Sequence, residues 1–381
     1  MTPETPALDT TTLSVQPLFR PLRWGSRDLH NRVVMAPMTR SHSPGKVPGP
    51  DVAAYYRRRA EGGTALIITE GVNPDHPAAT GHPSVPGLYG DEGLAGWKHV
   101  VDEVHAAGAA IIPQLWHCGS VRTLGMEPDP TVPGFAPSAI PHPAHSDTGE
   151  TPHEMTPGDI DETIASFVRA AVSARELGFD GIELHGAHGY LVDQFFWEVT
   201  NQRSDRYGGS LEKRLTFAVD LIGAVRAAVG PEFPIVFRFS QWKRAAYDYK
   251  LVKTPSELER FLTPLVEAGV DVLHASTRRF NDPEFDGSDL NLAGWAKKIT
   301  GLPAITVGSV GLDLDYVQSR SGGDAHKVGI DALIRRLERD EFDLVAVGRA
   351  LLSDPAWAAK LEDGREEEIV AFERKHLTIF E

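Results

Sequence analysis

His185 and His188 stand three residues apart, with glycines at 186 and 189 and Tyr190 immediately after. Two neutral imidazoles at that spacing can donate to a single carbonyl or carboxylate oxygen. A phenol just beyond, with an ordinary pKa near 10, is a candidate proton donor. The glycines would let the chain turn sharply enough for both rings to face one way. Histidine is also a common metal ligand, and Glu70 and Asp193 are the acids that would complete a metal site. The plain alternative is two satisfied core rings and a half-buried aromatic wall. Gln114 presents both a donor and an acceptor, suited to an imide-like edge, and Trp116 offers a flat apolar face, with simple core as the alternative. Arg238, if buried, needs an anion, a polarised oxygen or an internal acid as partner. Val307-Gly308-Ser309-Val310-Gly311 and Val347-Gly348-Arg349 each place small residues after an apolar run. Backbone N–H groups there make an anion site, to which Arg349 can add a charge-assisted bond; tight turns that simply need Gly are the alternative. Together with Thr39, these groups describe a site for a planar heterocycle with a phosphate tail, Thr39, Gln114 and Arg238 around the ring and 308–311 with 348–349 at the tail.

Such scattered residues meet only if the fold brings them to one place. Eight short apolar runs recur, at Val33–Pro37, Ala65–Glu70, Ala110–Gln114, Gly181–His185, Ile235–Phe239, Asp271–Ala275, Ala304–Val307 and Leu344–Val347. They are near-continuous rather than alternating, as parallel strands covered on the outside should be. Helical patterns separate them, with explicit punctuation. Thr156-Pro157-Gly158-Asp159 reads as an N-cap, a Pro at the first helical position and an acid at N3, and Gly178 as the stop. Ser210 and Gly230 bracket another helix, and Thr254-Pro255-Ser256-Glu257 reads as a capping box for a third, with Gly269 after it. The pattern predicts an α/β chain folded as a single (β/α)8 TIM barrel over about residues 30–358, with an N-terminal cap at Glu4–Arg27, a C-terminal tail and no second domain. A doubly wound sheet is the structural rival, but no G-x-G-x-x-G occurs. The third and fourth units are long, and the extra residues, Leu115–Glu154 and Gly186–Gly209, follow strand ends, on the face where barrels build active sites. The Pro-rich part of the first, Glu127–Ser146, reads as an ordered excursion or lid.

Composition narrows the partners. The 381 residues carry a formal charge of −15, which disfavours nucleic acid and anionic membranes. One cysteine, Cys118, leaves no intrachain disulfide and no cysteine-held metal or iron–sulfur cluster. No apolar run approaches a membrane span, and the polar start, Met1–Thr12, lacks a signal-peptide core, so a cytoplasmic protein is expected.

The motifs Asn31-Arg-Val-Val-Met-Ala-Pro-Met-Thr39-Arg40, Gln114-Leu-Trp-His117, Ala136-Pro-Ser-Ala139, His185-Gly-Ala-His-Gly-Tyr-Leu-Val-Asp-Gln-Phe195, Asn201-Gln-Arg-Ser-Asp-Arg-Tyr-Gly-Gly-Ser210 and Gly348-Arg-Ala-Leu-Leu352 resemble those of the Old Yellow Enzyme family, FMN-dependent NAD(P)H:flavin oxidoreductases or ene-reductases. The resemblance runs from about residue 18 to about 360 and rests on six motifs in the expected order. It implies noncovalent FMN at the C-terminal face of the barrel, with NADPH or NADH as reductant and no metal. Ala36, Pro37, Met38, Thr39, Gly71, Gln114 and Arg238 would then surround the ring, and Gly308, Ser309, Gly348 and Arg349 the phosphate. His185 and His188 would bind the oxygen of the substrate's activating group, Trp116 would line the substrate site, and Tyr190 would donate the proton. The implied partner is a small-molecule enone or nitroalkene, and the expected state a monomer or homodimer. Thr39 groups the chain with the branch carrying Thr, not with the thermophilic-like one carrying Cys. His188 replaces a frequent Asn, Trp-His-Cys-Gly-Ser at 116–120 replaces a pattern with Ala and Arg after the His, and Ser240-Gln-Trp-Lys243 replaces Ser-Pro. The last change alters a wall of the site, where Trp242 could restrict or stack the substrate. Two other functions fit the residues less completely: a flavin-free barrel lyase or isomerase acting on a phosphorylated substrate, and a flavin-binding protein without useful turnover.

Overall fold

The computed structural model describes residues 13–381 apart from 146, 148 and 324; the polar start at 1–12, the first part of the expected cap and the last residue of the expected lid lie outside the described residues. Eight parallel strands close into a barrel: β1 (Val33–Met35), β2 (Leu66–Val72), β3 (Ala110–Leu115), β4 (Ile182–His188), β5 (Ile235–Lys243), β6 (Val272–Ser276), β7 (Ala304–Val307) and β8 (Leu344–Val347). Consecutive strands are neighbours, and β8 returns to β1 with Val345 opposite Val33 and Val347 opposite Met35. All eight expected runs contain strands, although β1 stops at Met35 short of the expected Pro37, and β2, β4 and β5 extend further than the apolar pattern suggests.

The near-continuous apolar runs have a simple cause. Alternate residues face two different cores. Val34, Leu66, Ile68, Ile112, Val236, Ile305, Leu344 and Ala346 fill the barrel interior, while Val33, Met35, Ile67, Ile111, Phe237 and Val345 pack under the outer helices. Near the C-terminal end the interior changes character. Gln114, Glu183, Arg238 and His274 are buried there, with Gln114 in register with Glu183 and Arg238 with His274. An antiparallel hairpin, Leu22–Trp24 with Arg27–Leu29, covers the opposite end. Trp24 and Leu29 join the interior cluster, and Trp24 Nε1 donates to the Asp180 carbonyl at 2.9 Å, just before β4. The described part of the expected cap therefore does close the barrel floor.

Helix punctuation follows the sequence with two corrections. The helix Pro157–Leu177 has the full reciprocal box between Thr156 and Asp159 and ends at Gly178 in the left-handed conformation. At Pro255–Glu267 only half the box forms: the Thr254 side chain accepts from Glu257 N, but the Glu257 carboxylate accepts from Lys253 N at 2.6 Å instead of Thr254. Ser210 caps Leu211–Val229 by position only, with no side-chain bond. The Pro-rich excursion after β3 is ordered around one buried cation. Arg122 donates to the carbonyls of Glu127, Met126 and Val132, each at 3.0 Å, and to those of Thr80 and Asp129. Among the described residues, no helix is long and apolar enough to cross a membrane.

Candidate active site

The polar C-terminal end of the barrel opens into a cavity of about 680 Å³. That is within the roughly 300–1,000 Å³ of small-molecule sites. All the residues that the resemblance assigns to cofactor, substrate or proton transfer line it except Gly71, whereas Glu70, Asp193 and Gly311 do not. Gly71 lies behind the wall: a Cβ there would sit 2.5 Å from Trp116 Cε3, so glycine is what allows the indole to lie against β2.

The floor is built from inward positions of successive strands. Gln114 Nε2 donates to Glu183 Oε1 at 2.7 Å, and Glu183 Oε2 meets His274 Nδ1 at 2.6 Å. With its amide nitrogen engaged below, Gln114 is fixed at the cavity edge. Arg238 is the charged member. Its Nη2 donates to Ser276 Oγ at 3.3 Å, and its buried Nε has no partner. Among the described residues no carboxylate comes within ion-pair distance of it, so the internal-acid alternative is not what the fold provides. Burial lowers its pKa, with Glu183 acting in the opposite direction. Thr39, at the end of the β1 segment, stands exposed on the wall beside Met38.

At one end of the cavity, Gly308 and Ser309 after β7 meet Gly348 and Arg349 after β8. Gly308 has φ +144, and a Cβ would fall 2.8 Å from Thr277 O, so no other residue fits that backbone path without strain. The Arg349 guanidinium is held by Ser309 Oγ at 3.2 Å, by Asp315 O at 3.2 Å, and by Ser319 Oγ and Leu314 O. The cation is positioned by neutral groups and keeps its charge for an anion.

Opposite lies the histidine turn. The rings of His185 and His188 are 5.1 Å apart, and His185 and Tyr190 are 5.3 Å apart. Burial, followed by the nearby Arg238 charge, holds both imidazoles well below their ordinary pKa, so both are neutral at pH 7. His185 Nδ1 is buried and unpartnered, whereas His188 Nε2 meets Ser276 Oγ at 2.8 Å. The turn itself departs from the sequence reading. The positive φ values belong to His188 (+69) and Gly189 (+81), while Gly186 is needed because Phe237 Cζ lies 2.3 Å from where its Cβ would be. Asp193 Oδ2 accepts from Gly189 N at 2.6 Å and its Oδ1 from the buried Lys243 ammonium. Glu70 Oε2 accepts from the amides of Arg40 and Ser41, at 2.9 and 3.0 Å. Both acids considered as metal ligands are thus committed to backbone amides.

Tyr190 packs edge-on to Trp116, with centroids 5.0 Å apart, and its Oη accepts from Arg244 Nη1 at 2.5 Å. Burial raises the phenol pKa, and Arg244 opposes that rise. Trp242 lies flat on His188 at 4.3 Å, and Tyr247 stacks on Trp242 at 5.0 Å. Sequence reasoning missed Ser276, Arg244, Tyr247 and the Glu183–His274 pair. Ser276 had a signal, since it is the polar residue at the end of β6, where the other strands were read. Arg244 had none, because it lies in a turn whose path depends on the β5 extension.

The chain has relatives over most of its length. The model of the NADH:flavin oxidoreductase / NADH oxidase family matches residues 17–368. An NADH oxidase of Thermoanaerobacter brockii is 37% identical over 362 residues, covering 92% of this chain and 52% of that protein. The 12-oxophytodienoate reductase 1 of Oryza sativa subsp. japonica is 43% identical over 217 residues, 56% of each. The chain thus spans about half the length of these curated relatives. Among solved structures, morphinone reductase in complex with tetrahydroNAD superposes with a TM-score of 0.78 at 29% identity, covering 94% of this chain and 93% of that one.

Proposed function

The chain belongs to the NADH:flavin oxidoreductase / NADH oxidase family, the Old Yellow Enzyme family, and on that premise we propose that it is an FMN-dependent ene-reductase: it reduces the C=C bond of α,β-unsaturated carbonyl or nitro compounds at the expense of NADPH or NADH. One observation carries the reading: two neutral imidazoles and a phenol converge on the side of a cavity whose floor presents an arginine that has no carboxylate partner among the described residues.

The residues fit the cofactor. The orphaned Arg238 Nε and the fixed Gln114 suit the polar edge of a flavin ring, beside Ala36, Pro37, Met38 and Thr39. Arg349, with Gly308, Ser309 and Gly348, suits a phosphate. Gly71 contributes by letting Trp116 form the wall. When bound there, FMN would supply the hydride that the alkene's β-carbon receives.

The chain's own groups do the rest. His185 and His188 hold the carbonyl or nitro oxygen through N–H donors, which draws electron density away from the β-carbon. Because neither imidazole is charged, the oxygen is polarised but is not offered a full proton. Tyr190 keeps its proton at Oη, with the pKa raised by burial, and delivers it to the α-carbon. Arg244 can only donate, so its bond to Oη leaves the phenol's proton facing elsewhere and favours the phenolate left after transfer. Trp116 excludes water from the reacting face.

The purified protein should be yellow, release FMN on denaturation, and oxidise NAD(P)H with cyclohexenone or a nitroalkene. A colourless protein that takes up no added FMN would reject the reading in favour of a flavin-free barrel enzyme. A yellow protein inert toward a panel of enones, nitroalkenes and nitrate esters with both nucleotides would leave only flavin binding.

A further inference from the structure

The charge of this cavity runs against that of the chain. With 53 acidic residues against 38 Lys and Arg, the protein is strongly anionic, yet among the described residues no Asp or Glu lines the cavity and six arginines do: Arg40, Arg238, Arg244, Arg278, Arg349 and Arg374. Among the described residues a single carboxylate approaches any of them within 4 Å, the fully exposed Asp248 at 3.9 Å from Arg278. Arg238 and Arg349 are the two that the proposed cofactor would engage. Arg40 is tied to the carbonyls of Leu377 and Ile379. Arg244 is different. Its amide donates to His188 O at 3.3 Å, so the turn carrying it is pinned to the histidine clamp. Its side chain is committed to one neutral phenol, Tyr190 Oη, which occupies one of five N–H groups. A guanidinium fixed in this way beside the reacting end of the cavity, with Arg278 5.7 Å from the neighbouring Tyr247 ring, lacks an anion.

We propose that this cavity selects alkenes bearing a carboxylate remote from the activating group, and that Arg244 is the residue that binds that carboxylate. The inference rests on the ene-reductase reading and names its substrate class. The long-range field of a −15 chain repels anions, so any preference for an acid substrate measures the local arrangement and not general attraction.

The test compares a charged and a neutral partner of similar shape, 4-oxocyclohex-2-ene-1-carboxylate and its methyl ester, with the FMN-loaded enzyme. The acid should have the higher kcat/KM by at least about tenfold, as expected of one charge-assisted hydrogen bond. Arg244→Gln should bring the acid-to-ester ratio close to one, whatever it does to both rates through Tyr190, and Arg244→Lys should retain part of the preference. Calorimetric binding of 4-hydroxybenzoate and its methyl ester to the same variants gives the ratio without turnover. A wild-type ratio at or below one overturns the inference, as does a ratio unchanged in Arg244→Gln. So does a variant whose only altered ratio is that between NADPH and NADH, since the cation would then serve the nucleotide's phosphate. Absence of turnover with any alkene, cyclohexenone included, would instead be a failure of the ene-reductase reading, and the calorimetric ratio would still decide the role of Arg244.

Discussion

Replacing Lys243 with Met should injure both stability and the histidine turn. The side chains of Lys243 and Asp193 are each 0% exposed and form an ion pair. Asp193 also accepts from Gly189 N, so the pair fixes the residue between His188 and Tyr190. Removing one partner of a buried pair costs about 3–5 kcal/mol, because the other is left charged without compensation. Burial already pushes the Asp193 carboxyl up, and Lys243 is what opposes that rise. In Lys243→Met the carboxyl would therefore take up a proton in the folded state well above its unfolded range near 4. The folded variant then binds more protons than the unfolded chain, so its defect is greatest at high pH and shrinks by up to about 1.4 kcal/mol per unit as pH falls toward 4. Urea titrations followed by circular dichroism at pH 8 and pH 6, at fixed FMN concentration, read this directly. Asp193→Asn added to Lys243→Met should recover most of the loss, since the amide oxygen still accepts from Gly189. A loss below about 1 kcal/mol at both pH values, or a double variant no better than the single, would refute the reasoning.

Tyr190→Phe should leave flavin reduction by NAD(P)H nearly intact and slow alkene reduction by about 10²–10⁴-fold. Stopped-flow measurement of the two half-reactions checks this, and equal losses in both would remove Tyr190 as the specific proton donor. Gly71→Ala should cost about 1–3 kcal/mol and displace Trp116, whose ring atoms lie 2.5 and 2.9 Å from the new Cβ; unchanged urea stability together with unchanged tryptophan fluorescence would contradict it. Burial lowers His76 and His142 to about 4 and depresses His117, His185, His188 and His274 as well. These rings are neutral when folded and charge near 6.5 when unfolded, so their contribution is complete above about pH 7 and is lost as pH falls. Glu70, raised to about 7 by burial, acts oppositely, its contribution being lost as pH rises through 7, and the raised Asp193 and Glu284 carboxyls act with it, but these are three groups against seven once the depressed His82 is counted. The urea midpoint should therefore fall between pH 7.5 and pH 5, and a rise over that window would contradict the assignment.

The barrel was legible because its strands are buried on both faces, which leaves unbroken apolar runs, and because helix signals such as Thr156–Asp159 are local. The cavity residues were legible for a related reason: a polar residue at a strand end has few other places to go. That rule reached Gln114, His185, Arg238 and Arg349 and, applied to β6, would have reached Ser276. It could not reach contacts made across the mouth. Arg244 and Lys243 lie in a turn closed by bonds between Lys243 and Ala246, and only the three-dimensional path of that turn brings them to Tyr190 and Asp193. Gly186 was misread because a glycine next to a turn invites a conformational explanation, whereas its actual constraint is Phe237 on the next strand. The capping box at Thr254 was half right because Glu257 reached one residue further back than the motif requires.

The departure Ser240-Gln-Trp-Lys243, together with Arg244 after it, is bonded to the histidine turn at several steps. Ser240 Oγ accepts from His188 N at 3.1 Å, Trp242 covers the His188 ring, Lys243 locks Asp193, and Arg244 meets Tyr190. These are contacts between two segments about fifty residues apart, yet they hold His188 and Tyr190, two of the three proposed reacting side chains. His188 adopts φ +69, a conformation that a non-glycine residue keeps only when its surroundings impose it. The imposed bonds come from Ser240 on one side and, through Gly189 and Asp193, from Lys243 on the other. A His at 188, a Lys at 243 and an Arg at 244 are accordingly parts of one arrangement. Exchanging the Gln241-Trp242-Lys243 stretch for a Ser-Pro pattern while keeping His188 would remove the support of the turn at the same moment as it reshaped the wall, so a change in substrate range produced that way could not be assigned to the wall alone.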